Sequence, residues 1–243
     1  MENPTALIIG ANSGIAKALA RTLVERGDSL VVITRCSDYY QSKAFNNTRV
    51  VLVENYEEKA ITKALEAINQ ITKIEIVQVF ICNGLLHNAR CQPEKRLEDF
   101  SVNSFNEVLN VNTTTPILWL KALVTELTFK HPCKIAVLSA RVGSISDNKL
   151  GGWYSYRASK AALNMLLKTA SIELARRAKN IKLISFHPGT TDTALSKPFQ
   201  QNVPKGKLFS PDFVAQQLLH IVKESQLDGE LLYVDWQGKQ IDW

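Results

Sequence analysis

A phenol and an ammonium stand one helical turn apart in the stretch GGWYSYRASKAALN, residues 151–164, as Tyr156 and Lys160. An α-helix turns once in about 3.6 residues, so side chains four positions apart share a face and meet. A phenol ionises near pH 10 in water, and a cation beside it favours the phenolate, so the pair has the makings of a tuned proton carrier. Tyr154 has only Ala158 one turn on and lacks such a partner. A second stretch with chemical potential is GANSGIAKALA, which follows the apolar run ALIIG at residues 6–10. Gly10 and Gly14 fall where a strand turns into a helix, with Asn12 and Ser13 between them and Ile15 just after. The missing Cβ atoms permit a tight turn and close approach of a pyrophosphate to backbone N–H groups. The spacing is G-x-x-x-G, and Ala16 occupies the place of a third glycine.

These residues need elements to position them. Short runs apolar on both faces lie at 6–10, 29–34, 49–53, 76–82, 134–139, 181–186 and 230–235, the pattern of buried parallel strands. Helical patterns lie between them at 14–26, 57–72, 101–130, 153–178 and 211–225; the last opens SPDF, a Ser cap with Pro at the first helical position. This alternation predicts an α/β fold, a doubly wound seven-stranded parallel sheet with helices on both faces, whose ligand sits beyond the carboxyl ends of the strands. A single domain over 1–243 is expected, since a chain that is 45% hydrophobic can bury one substantial core. The excess of 29 Lys+Arg over 23 Asp+Glu is dispersed, without the dense basic run of a nucleic-acid binder, and reads first as a solvated basic surface, with a phosphate-bearing ligand as the next reading. Cys36, Cys82, Cys91 and Cys133 are scattered, so neither a metal site nor a disulfide framework is expected. The N-terminal MENPTALIIG shows no basic leader region and no segment reaches membrane-span length, so with the scattered cysteines a reducing, cytoplasmic setting is expected.

The glycine turn at 10–14, ICNGLL at 81–86, NVNTTTP at 110–116, Ser139 at a strand end, YSYRASKAAL at 154–163 and HPGTTDT at 187–193 come in one order. In that order the chain resembles the short-chain dehydrogenase/reductase family over nearly its whole length, and RVGSISDNKLGGWYSYRASKAALNM with the ending VDWQGKQIDW looks like the branch that includes C-factor. The resemblance implies a Rossmann fold and hydride transfer between a nicotinamide cofactor and a carbonyl or alcohol. Tyr156 would be the general acid/base, and Lys160 would lower its pKa and hold the nicotinamide ribose. Asn112 would anchor a water that links the lysine to solvent. The family's carbonyl-binding serine falls in register with Ala140, leaving Ser139 or Ser144 to supply the hydroxyl, with Ser139 favoured. Arg35, at the end of the second strand, suits the 2′-phosphate of NADP and favours NADP(H) over NAD(H). Asn83 and Gly84 depart from the family's Asn-Asn-Ala-Gly pattern but keep a backbone role toward the cofactor, and Pro188, Gly189, Thr191 and Thr193 match the segment that meets the nicotinamide carboxamide. A substrate lid is expected at about 190–210, with Trp153 and Phe199 suggesting an apolar or ring-bearing carbonyl compound. Family members commonly pair through the helices here read at 101–130 and 153–178, which implies a homodimer or homotetramer. The C-factor resemblance also leaves open a nucleotide-binding signalling protein with little turnover.

Overall fold

In a computed structural model, residues 4–70, 75–128 and 130–243 are described. Strands β1 (Thr5–Ile9), β2 (Ser29–Thr34), β3 (Thr48–Leu52), β4 (Ile76–Ile81), β5 (Cys133–Leu138) and β6 (Ile181–His187) join β9 (Leu232–Asp235) in one sheet. Its order is β3-β2-β1-β4-β5-β6-β9, and every pairing is parallel. Two-residue strands β7 (Thr190–Thr191) and β8 (Leu208–Phe209) form a separate small ladder.

Alternation within the strands fills both faces. Leu7 and Ile9 of β1 join one core with Val79, Val137 and Leu183, covered by α2 (Glu58–Asn69), α4 (Thr115–Leu127) and α5 (Tyr154–Arg177). Ala6 and Ile8 join the other with Phe80, Ala136 and Phe186, covered by α1 (Gly14–Glu25) and α6 (Pro211–Glu224). Successive strand residues point to opposite faces, so a strand sandwiched between helix layers must be apolar throughout. Ser210 caps α6 by accepting the Phe213 N–H, with Pro211 at the first helical position, as SPDF predicts.

The expected helix over 101–130 is found as one helical run from 102 to 127 with a single wider turn inside it. α3 (Val102–Leu109) passes through a wide turn, Asn110–Thr114, into α4. In that turn the Thr115 N–H reaches back five residues to the Asn110 carbonyl. Pro116 has no N–H to give the Asn112 carbonyl, so the regular ladder is already broken there and the extra residue is accommodated. The wide turn presents Asn112 to the start of the neighbouring helix.

Candidate active site

Beyond the carboxyl ends of β1, β4, β5 and β6 lies a cavity of about 450 Å³. Asn12, Ser13, Gly14 and Ile15 line it at one end. Gly10 holds φ +72°, and a Cβ there would lie 3.0 Å from the Asn83 nitrogen, so β1 can turn against β4 only with glycine. Ser13 caps α1 through its hydroxyl, which accepts the Ala16 N–H at 3.2 Å; the N–H groups of the first turn lack intrahelical acceptors and point to where an anion would sit. Asn83 and Gly84 line the cavity at the end of β4, and Asn83 Oδ1 is buried with no partner among the described residues. Pro188, Gly189, Thr191 and Thr193 line it from beyond β6, and a Cβ on Gly14 would strike the Thr193 methyl at 2.8 Å. Arg35 stands outside the cavity, exposed, with its guanidinium 5.5 Å from the Tyr56 ring centre and no ion pair among the described residues.

Tyr156 and Lys160 line the middle of the cavity. The Tyr156 hydroxyl has no hydrogen-bond partner among the described residues, while the ring lies edge-on to Trp153 with centroids 6.1 Å apart. Lys160 is buried, donates to the Leu138 carbonyl at 2.8 Å and lies 5.9 Å from the Tyr156 ring centre. Burial pushes the phenol up to about 12 and draws the lysine down to about 7. The sequence leads one to expect the cation to lower the phenol; in the enclosed cavity desolvation penalises both charges and prevails.

Asn112 is fully buried and lies outside the cavity lining. Its Oδ1 accepts the Leu85 N–H at 2.7 Å, and its Nδ2 donates to the Leu85 carbonyl at 2.8 Å and to Ser159 Oγ at 3.0 Å. The side chain thus ties the loop after β4 to α5, one residue before Lys160. Ser139 lines the cavity, but its hydroxyl donates to Asn164 Oδ1 at 2.7 Å. Ser144 lies outside the lining and accepts the Asp147 N–H at 3.1 Å. Ala140 lines the cavity without a donor.

Two positioning features escape any motif. Glu94 is buried at the start of α5, where its carboxylate accepts the Ser155 N–H and hydroxyl and its carbonyl accepts the Trp153 N–H at 2.6 Å. A carboxylate there caps the helix and meets the positive end of its dipole. Trp153, at φ +53°, is the one non-glycine among the described residues in the left-handed region, following Gly151 and Gly152, which share that conformation. It packs edge-on against Phe199, whose ring also meets His87. A lone Glu in a polar loop and a tryptophan before a helix carry no periodic signal. Among the described residues no cluster of three His, Cys, Asp or Glu is placed to hold a metal, and no helix is long and apolar enough to cross a membrane.

The likenesses to known proteins follow the same outline. The chain is 26% identical over 241 residues to a benzil reductase, (S)-benzoin forming, of Bacillus subtilis, covering 93% of this chain and 96% of that one. It is 27% identical over 167 residues to the C-signal protein of Myxococcus xanthus, covering 69% and 93%. An NADPH-bound carbonyl reductase from chicken fatty liver has the same fold, with a TM-score of 0.83, 20% identity and 100% of both chains covered. The profile described as short chain dehydrogenase matches residues 4–204, so a glycine turn, a tyrosine and lysine on one helical face and a seven-stranded parallel sheet here belong to an oxidoreductase of the short-chain dehydrogenase/reductase family.

Proposed function

We propose that this chain is an NADPH-dependent reductase of apolar, ring-bearing carbonyl compounds, with Tyr156 as the proton donor. The observation that carries the reading is a phenol held protonated in the same cavity as the glycine turn. At neutral pH a phenol pushed up to about 12 is an acid, which suits reduction. The apolar wall formed by Trp153, Phe199, Leu86 and Val203 suits a ring-bearing substrate.

The residues fit a dinucleotide. Gly10 lets β1 turn against Asn83 and Gly14 lets Thr193 close on the start of α1, and the orphaned Asn83 Oδ1 offers an acceptor beside that turn. The helix N-terminus at Ser13–Ile15 would hold the pyrophosphate, and Arg35, unpaired at the end of β2, would meet a 2′-phosphate. Pro188, Gly189, Thr191 and Thr193 would hold the carboxamide, and Lys160 the ribose. When bound, the nicotinamide supplies the hydride. Tyr156 gives its proton to the alkoxide oxygen as it forms, and the phenolate left behind favours the protonated form of Lys160, which the Leu138 carbonyl holds nearby. The segment from Thr190 to Phe209, which carries Phe199 onto Trp153, would act as a lid on one domain spanning residues 1–243. The similarity to C-signal and the lack of a hydroxyl at Ala140 favour a second reading, a nucleotide-binding signalling protein with little turnover.

Turnover of benzil, aromatic aldehydes and ketones with NADPH decides between them. Tyr156→Phe is expected to lower kcat by at least about 100-fold while leaving NADPH affinity within about twofold, because the hydroxyl acts on the substrate. Lys160→Ala is expected to damage both. Tyr154→Phe, at an exposed position without a lysine one turn on, is expected to keep most activity. A Tyr156→Phe protein as fast as its parent would remove the phenol from the mechanism.

A further inference from the structure

A carbonyl oxygen turning into an alkoxide has room for two donors, and enzymes gain most from those fixed in place beforehand. Tyr156 is one. The second is missing from where a strand-end hydroxyl would provide it: Ala140 has none, and the Ser139 hydroxyl is spent on Asn164 Oδ1, which also receives the Ser185 hydroxyl at 2.8 Å. Asn83 and Thr193 sit against Gly10 and Gly14, at the dinucleotide end. Lys160 is drawn to the Leu138 carbonyl.

His187, the last residue of β6, remains. The Ser139 N–H donates to the Phe186 carbonyl at 2.8 Å, carrying the β5–β6 pairing past Leu138 and setting Ser139 beside His187. Ser139 and Ser185 both reach Asn164 on α5, and His187, two residues after Ser185, projects from that same face, the face that carries Tyr156. The imidazole lines the cavity. Its Nδ1 is buried without a partner among the described residues, which leaves Nε2 to face the cavity. Burial, with Arg141 outweighing Asp235 nearby, draws the imidazole down to about 4, so the ring is neutral at working pH and has one N–H to offer.

We propose that His187 Nε2 donates the second hydrogen bond to the substrate carbonyl oxygen, beside the Tyr156 hydroxyl, in place of a serine. The inference rests on the carbonyl-reductase reading above. An acceptor in the cavity selects the tautomer protonated on Nε2, since Nδ1 has no route to it. No proton is transferred from His187. It holds the oxygen while Tyr156 protonates it.

Four proteins test this with benzil and NADPH, each also titrated with NADPH by calorimetry. His187→Phe is expected to lower kcat/KM at least about 20-fold with NADPH affinity within about threefold, the signature of a lost donor to developing charge. His187→Gln, which keeps an N–H at similar reach, is expected to retain at least about a third of parental kcat/KM. Adding Ala140→Ser to His187→Phe is expected to recover at least about fivefold. A His187→Phe protein within about threefold of an active parent overturns the inference alone. So does parallel loss of turnover and NADPH affinity with no recovery from Ala140→Ser, because His187 would then only support the fold. A parent that reduces neither benzil nor aromatic aldehydes overturns carbonyl reduction itself, and this inference with it.

Discussion

Arg35 is exposed, with its guanidinium 5.5 Å from the Tyr56 ring centre and no ion pair among the described residues. A stacked guanidinium keeps its hydrogen-bonding fork free, which suits a phosphate better than a hydroxyl. Arg35→Ala is therefore expected to weaken NADPH binding by about 1.5 to 3 kcal/mol and leave NADH nearly unaffected. Calorimetric titration with both nucleotides checks this, and equal affinities in the parent would remove Arg35 from cofactor choice. The Tyr156–Lys160 pair was readable from spacing because one helical turn fixes its geometry. What burial does to the two charges was not, since desolvation depends on Leu138, which meets Lys160, and Phe199, which covers Trp153, and both arrive from other parts of the chain.

Elements set the tolerances of the site. A Cβ on Gly143, in the turn after β5, would lie 2.8 Å from the Lys160 carbonyl carbon and 3.0 Å from the Ala161 nitrogen. These atoms belong to the backbone of one turn of α5, which has no flexible end to yield, so Gly143→Ala is expected to push α5 away, costing about 1 to 3 kcal/mol. Urea unfolding checks the stability, and a fall in NADPH affinity would show that Lys160 moved with the helix. The strands were legible because burial on both faces makes them apolar end to end, and β1, β2 and β4 appear where their runs predict. The wider turn at 110–114 was hidden because the apolar pattern continues across it, and only Pro116 marks it. The latch from Glu94 to Ser155 joins residues 61 apart in the chain, a contact with no local signature.

Met165, Leu166 and Ile172 of α5 lie 66%, 41% and 49% exposed, an apolar stripe that a helix already packed on the sheet does not need. The chain is expected to self-associate through this side, and light scattering at micromolar concentration checks it; a monomer would leave the stripe unexplained. Stability should also depend on pH. His187 is drawn to about 4 in the fold from 6.5, so the unfolded chain takes up the proton first, and stability present above 6.5 is lost as pH falls toward 4, up to about 3 kcal/mol. Lys160, lowered from 10.5 to about 7, acts in the same sense at higher pH, with stability rising between those values. Urea midpoints at pH 5 and 7.5 check the first effect, and His187→Gln should flatten it. The central pairing of the sheet also sets an order of events in folding. β1 lies between β2 and β4, and Thr5 pairs with Ile76 only after the intervening chain has been made and returned. Such non-local pairing is slow. A Cβ on Gly10 would lie 3.0 Å from the Asn83 nitrogen at that same junction, so a nucleotide seated on this turn would favour the chain that has already closed the sheet, and would slow the reverse step.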